Sequence, residues 1–431
     1  MKPYESYKDS GIEWLGQIPS HWRMIPFKKM FSFGRGLPIT KSDLVESGLP
    51  VISYGQIHSK NNPGTHIEEH LIRYVPEKFS VGNETSLVKC GDLLFADTSE
   101  DLEGCGNCVY VDKDMALYAG YHTIIAKAQN VNPSKYIAYL FKTDCWRSQL
   151  RSSVNGVKVY SITQNSLGDT TILIPPLSEQ QVISSYLDDK VSQIDAIIRE
   201  KEKMIEDLQS YRKSIITETV TRGLNPDAPM KDSGIEWIGM IPEHWELSLG
   251  KHMFCLITDN VSDPTLPKVA LENIESGTGR FIDTDSDYLG EGVEFKENDI
   301  LFGKLRPYLA KVYKAEFRGQ SVGDIYVFRG KDNQDADYLK YLMLSHAFIS
   351  VVDGSTYGAK MPRANWDFIS HMPLPNPSLS EQHIIASYID DKVKKINNSI
   401  AELQSQIADL KSYKSSLITE AVTGKIDLRQ Q

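Results

Sequence analysis

Residues 8–22, KDSGIEWLGQIPSHW, return as residues 231–245, KDSGIEWIGMIPEHW, with twelve of the fifteen positions identical. A chain that repeats itself folds part of its length twice, so the repeat is settled before any local structure. A longer match follows. LSEQQVISSYLDDKV (177–191) recurs as LSEQHIIASYIDDKV (379–393), and the same offset of 202 runs without a gap to DLQSYRKSIITETVT (207–221) and DLKSYKSSLITEAVT (409–423). Between these flanks the text diverges. GDLLF (91–95) faces NDILF (298–302) and YIAYL (136–140) faces YLKYL (338–342), with the offset changing in between. Length changes of that kind fall in loops. The chain reads as a tandem duplication: constant flanks around two divergent modules, roughly 23–176 and 246–378.

The second constant flank is helical. Ser178 and Ser380 are expected to cap helices that open with Glu179 and Glu381, and Gln181 stands at the third position. Downstream, apolar residues recur at spacings of three and four: Val191, Ile194, Ile198, Ile205, Leu208 and Ile215 in the first copy, with Lys201 and Arg212 interrupting. The second copy gives Val393, Ile396, Ile400, Leu403, Ile407, Leu410 and Leu417. That is a heptad seam. No proline occurs in 178–221 or 380–423, so each helix can run its full length, roughly 65 Å. A narrow apolar stripe needs a partner. The gap-free lengths favour one helix packed on the other over each helix lying on its own module. Gly223, Pro226 and Pro229 in TRGLNPDAPM (221–230) form a short connector, and TGKIDLR (423–429) resembles its start.

Within the modules, VISYGQI, TSLVKCGDLLFA, HTIIAKA, EFKENDILFG and GDIYVFRG read as short strands between turns. PSKYIAYLFKTDCWRSQL and DADYLKYLMLSHAFISVV read as amphipathic helices, so each module is expected to be α/β. No run approaches a membrane span and the N-terminus lacks an apolar signal region. Five cysteines, an odd and sparse set, suggest reduced thiols and a cytoplasmic protein. Cys105 and Cys108 form a C-x-x-C pair; Cys90 and His122 are the candidate helpers for zinc, against free thiols in a loop. No P-loop, no HExxH and no amino-methyltransferase [DNS]-P-P-[YFW] run is present, so intrinsic catalysis is not expected. The net charge of −10 argues against a chain that binds nucleic acid tightly by itself.

The duplicated DSGIEW-[LI]-G-x-IP-x-HW phrase, the [GN]-D-[LI]-LF strand, GKLRPYLAKV (303–312) and the LSEQ-opened helices together resemble the specificity subunit of type I restriction–modification systems. The resemblance covers essentially the whole chain, in order, twice. It implies an α+β fold: two α/β target-recognition domains separated by two long antiparallel coiled-coil helices, with a pseudo-two-fold internal repeat. The expected divisions are 1–176, the first target-recognition domain; 177–222, the first helix; 223–378, the connector and second domain; and 379–431, the second helix and tail. The resemblance further implies a non-catalytic subunit that reads a split double-stranded DNA target and docks two modification subunits, with a restriction subunit as a further component. It implies no cofactor in this chain; S-adenosylmethionine, ATP and magnesium belong to those partners. The competing reading is a coiled-coil adaptor with two protein-binding modules and no DNA target.

Candidate DNA contacts follow from chemistry. GKLRPYLAKVYKAEFRG (303–319) holds Lys304, Arg306, Lys311, Lys314 and Arg318 against a single acid, and cations of both kinds suit phosphates and guanine edges. YGAKMPRANW (357–366) aligns with NGVKVYSITQ (155–164), pairing Lys360 with Lys158 and adding Arg363, Tyr160 and Gln164. FGRGLPITK supplies Arg35 and Lys41, and SYGQIHSKN supplies Tyr54, Gln56 and Lys60. Each of these stretches also reads as an ordinary solvated loop. Trp14, Trp22, Trp237 and Trp245 are expected to be packing anchors of the constant frame.

Overall fold

The computed structural model describes residues 2–12, 15–129, 134–154, 159–284, 288, 291–356 and 361–429. Its contacts divide the chain into two units, 1–200 with 406–431, and 201–405. The repeated phrase folds alike in both. Tyr7–Asp9 pairs antiparallel with Gln17–Pro19, and Met230–Asp232 with Met240–Pro242. The turns are set by the same residues: the Gly11 N–H donates to Asp9 Oδ1 and the Gly234 N–H to Asp232 Oδ1, both at 2.9 Å. Trp22 and Trp245 at the ends of the phrase are fully buried. Trp237 packs partly buried against the second core, and Trp14 lies outside the described residues.

Each module opens and closes on adjacent antiparallel strands, Arg23–Pro26 with Thr171–Ile174, and Glu246–Leu249 with Pro373–Asn376. The main sheet of the first module runs Cys108–Tyr110, Leu93–Ala96, Thr123–Ala128, Phe31–Arg35. The second module repeats that order with Val312–Lys314, Ile300–Gly303, Ile325–Gly330 and Phe254–Ile257. The D-[LI]-L-F stretch is a central strand buried on both faces, which is why it reads as a continuous apolar run. A smaller sheet contains the one parallel pairing of each module among the described residues, Leu49–Ile52 with Leu117–Ala119 and Lys268–Val269 with Gly319–Ser321. The fold is α+β as expected, and the modules are β-rich with mostly antiparallel sheets. Each stretch read as one amphipathic helix is two, because Thr143 and Ser345 accept backbone N–H bonds from Trp146 and Phe348 and start a second helix.

The long helices span Leu177–Arg222 and Leu379–Val422, 46 and 44 residues, or about 69 and 66 Å. Both begin one residue before the serine expected to cap them. In the second copy Ser378 takes that part, its Oγ accepting from the Glu381 N–H at 3.4 Å; the first copy has Pro176 there. The glutamines of LSEQ tie the helix starts to the preceding prolines: Gln180 Nε2 donates to Pro175 O at 2.8 Å and Gln382 Nε2 to Pro377 O at 2.9 Å. The helices pack together antiparallel. Lys414 reaches Asp195 at 2.5 Å in the first unit, and Arg212 reaches Asn397 at 2.7 Å in the second. Ile194, Ile198, Ile215, Val393, Ile396, Ile400, Leu403, Ile407 and Leu417 are buried along the pair; Val191, Ile205, Leu208 and Leu410 are partly covered. Arg212, which interrupts the apolar series, is itself 8% exposed.

Each unit joins the start of one helix to the end of the other at its tryptophan. In the first, the Glu179 carboxylate accepts from Trp22 Nε1 and from the Tyr4 hydroxyl at 3.0 Å each, and contacts His21 Nε2 at 2.7 Å. Gly424, at φ +72°, ends the second helix against Trp22 and Pro19, where a Cβ would stand 2.5 Å from the proline ring. In the second unit Gly223, at φ +73°, lies under Trp245 in the same way. There the Glu381 carboxylate meets His244 at 3.1 Å, and Trp245 Nε1 is buried without an acceptor among the described residues.

Candidate nucleic-acid interface

Three segments meet beside the main sheet of each module: the residue after the D-[LI]-L-F strand, the residue before the next sheet strand, and the stretch before the last short helix. Their main chains are bonded alike. In the first module the Asp97 N–H donates to His122 O at 3.1 Å and Asp97 O accepts from Ile162 N at 2.8 Å. In the second the Lys304 N–H donates to Asp324 O at 2.9 Å and Lys304 O accepts from Ala364 N at 2.8 Å. The strand exchange Ser161 with Thr98 matches the bridge between Arg363 and Leu305. Burial holds the Tyr326 phenol above its usual range, so its O–H stays a donor and binds Ala364 O at 3.1 Å.

The side chains on this shared backbone differ in sign. In the first module Asp97 Oδ1 faces His122 Nδ1 at 3.2 Å, and the exposed imidazole lies edge-on to Tyr54 at 5.4 Å and near Tyr121 at 6.0 Å. Arg35 and Gln164 line the same recess of about 360 Å³ with Asp97 and His122. Tyr160 sits next to it in the strand pair with Thr98–Ser99. In the second module Asp324 holds two cations, Arg363 Nη2 at 3.0 Å and Lys304 Nζ at 3.8 Å. Arg306 stands exposed at the position of Ser99.

The junction therefore gathers Arg35, Tyr54, Tyr160 and Gln164 in one unit and Lys304, Arg306 and Arg363 in the other. The remaining candidates are placed differently. Gln56 folds back to accept the Ser53 N–H at 3.1 Å, as Asn273 does for Ala270, so its amide oxygen serves a turn. Lys311 Nζ donates to Leu271 O at 2.6 Å and Ile274 O at 2.8 Å, and Lys314 pairs with Asp337 at 2.7 Å. Lys41 and Lys60 are exposed on turns and do not line the recess. Lys158 and Lys360 lie outside the described residues. His122, Tyr121, Asp97 and Asp324 join the site from the structure and not from the sequence. The signal that marks them is the residue just before TIIAKA and IYVFRG, where the otherwise parallel halves carry His122 against Asp324.

The larger recess of the first module, about 950 Å³, is lined by Glu100, Asp101, Glu103 and Asp144 as well as Arg147 and Arg151. Both arginines are spent on Glu103 O, Phe141 O and Asp144, so it suits no phosphate. Cys105 and Cys108 are buried, and burial pushes the Cys108 thiol up to about 11, away from the thiolate a metal requires. Among the described residues no three His, Cys, Asp or Glu side chains gather as metal ligands, and no helix is long and apolar enough to cross a membrane.

A family model described as the type I restriction modification DNA specificity domain matches residues 19–207 and 274–408. The chain belongs to that family. Among curated type I specificity subunits it is similar to the EcoDI subunit of Escherichia coli, 26% identical over 284 residues, covering 58% of this chain and 62% of that one. It is also similar to the MjaVIII subunit of Methanocaldococcus jannaschii, 25% identical over 318 residues, covering 68% and 70%. The aligned part thus spans less than two thirds of the EcoDI subunit. In fold it resembles a chain from a structural study of type I R-M assembly and conformational transition, with TM-score 0.70 and 14% identity over 95% of this chain and 99% of the other. The HsdS subunit from Thermoanaerobacter tengcongensis gives TM-score 0.50 and 16% identity over 95% and 98%. The two matched stretches include the residues of both junctions.

Proposed function

We propose that this chain is the DNA specificity subunit of a type I restriction–modification complex, with each module reading one half of a split target. The observation that carries the reading is the junction: one hydrogen-bonded backbone, occurring twice, with Asp97 and His122 in one copy and Lys304, Asp324, Arg306 and Arg363 in the other. A symmetric homodimer reads a palindrome, whereas a duplicated chain keeps the geometry and lets the two readings differ. The long helices are the element that sets the unread gap. Two modification subunits, bound to the constant segments, bring S-adenosylmethionine and methylate adenine; ATP and magnesium belong to a restriction subunit where one is present. The complex works in the cytoplasm, where its DNA is. With a net charge of −10 the chain alone binds DNA weakly, and affinity rises when the modification subunits complete the positive field. Sequencing methylated bases in cells expressing the complex, with and without this chain, tests the reading. A split adenine-methylated motif that disappears with the chain, and whose halves exchange when residues 23–176 and 246–378 are exchanged, is the expected result.

A further inference from the structure

We propose that Arg306 is a specificity-determining residue of the second module and that the base it reads is guanine; the proposal rests on the DNA-reading role above. Among the described residues four non-glycine positions have positive φ: His122 at 53°, Asn298 at 68°, Arg306 at 51° and Ala310 at 47°. Asn298 stands where the first module has Gly91, in a tight turn that asparagine tolerates. The other three lie at the junction or in the loop that leaves it. A left-handed backbone is strained for any residue with a Cβ, and glycine would remove the strain. A side chain other than glycine's at such a position points to work done by the side chain.

The charges of the loop support the same residue by elimination. Lys304 and Arg363 share Asp324, Lys311 is held by two carbonyls, Lys314 by Asp337 and Arg318 by Glu294 at 2.8 Å. The Arg306 guanidinium is exposed and has no side-chain partner among the described residues. Its backbone is fixed on both sides: the N–H donates to Pro362 O at 2.8 Å, and Pro307 begins a 3-10 turn that Ala310 closes. Tyr308 and Met361, 54% and 57% exposed, flank it in the two strands of chain that meet there. A guanidinium on a fixed backbone presents coplanar N–H donors that match guanine O6 and N7 in the major groove, a planar fork that lysine lacks. The first module has Ser99 at this place, buried and donating to Asp101 O at 2.7 Å, so the reading belongs to one half of the target.

The test uses the full chain co-expressed with its modification subunit, with methylome sequencing and thermal unfolding as readouts. Wild-type chain gives a split motif with a guanine in the half assigned to the second module by module exchange. Arg306→Gly is expected to unfold no earlier than wild type, its backbone strain being relieved. It is also expected to lower discrimination at that guanine about tenfold to a hundredfold, leaving the other half unchanged. Arg306→Lys, which keeps the charge without the planar fork, is expected to show a smaller loss at the same position. Methylation lowered evenly across sequences in Arg306→Gly would assign the residue to a phosphate and overturn the proposal, as would an unchanged motif in Arg306→Gly, or a second-module half without guanine. A wild-type chain that yields no split motif would remove the DNA-reading role itself.

Discussion

Asp97 and Lys304 occupy the same place in two copies of one fold. Each gives and receives the same two main-chain hydrogen bonds, yet one side chain is an anion and the other a cation. The helix starts show the reverse. Glu179 and Glu381 are the same residue in the same phrase, and one is buried under a tyrosine, a tryptophan and a histidine while the other meets an exposed histidine. The lesson is that backbone bonding carries the scaffold through divergence, so side chains at the junction are free to change. Identical text in the constant segments, by contrast, does not guarantee identical energetics. Asp227 stands, by the alignment of the repeated phrase, where the first copy has Tyr4, and that single change removes one donor from the second carboxylate.

The largest test of this contrast removes the carboxylates. Glu179→Ala leaves the Trp22 N–H and the Tyr4 O–H buried without acceptors and is expected to cost about 2–5 kcal/mol. Glu381→Ala loses one partly exposed contact and is expected to cost about 1 kcal/mol or less. Hydrogen exchange at the two helix starts locates each loss; equal losses would break the comparison.

A second test uses pH. The buried Cys108 thiol is pushed up to about 11 from 9.0, whereas the second module has Val312 at that place in its sheet. Between those values the folded chain keeps the proton that the unfolded chain releases, so stability present below pH 9 is lost as pH rises through 11. The thiol accounts for about 2–3 kcal/mol of that loss. Cys108→Val is expected to flatten the alkaline decline by this amount, and the difference between the two proteins in urea unfolding isolates the thiol from other groups titrating there.

The smallest effect concerns the helix pair. Lys414 faces a carboxylate, Asp195, but the equivalent Arg212 faces the amide of Asn397, and its buried Nε has no acceptor among the described residues. Asn397→Asp supplies the missing charge and is expected to stabilise by about 1 kcal/mol, while Asp195→Asn, at a partly exposed pair, costs about 0.5–1 kcal/mol. Urea midpoints of the two variants measure both. Opposite signs sharpen the comparison; the same sign would mean that solvent already compensates Arg212.

These contrasts also mark what can be read from residues alone. The paired helices are legible because the series from Val393 to Leu417 keeps its spacing through a proline-free run, and that periodicity is local. The shared scaffold is legible because KDSGIEW carries its own turn, an aspartate accepting from a glycine two residues on. The destinations of Lys311 and Lys314 are not, since their acceptors come from Leu271, Ile274 and Asp337, far along the chain. Nor are the positive φ values of His122 and Arg306, because nothing in either residue type announces a left-handed backbone. The expected serine caps fall one position off because Ser178 and Ser380 have the right chemistry but sit already inside the helix.

The glycines beneath Trp22 and Trp245 have a mechanical consequence. Each tryptophan grips the foot of one helix and the tip of the other, so adding one residue to either rod would rotate its tip by about 100°. Its glycine would then swing out from under the indole.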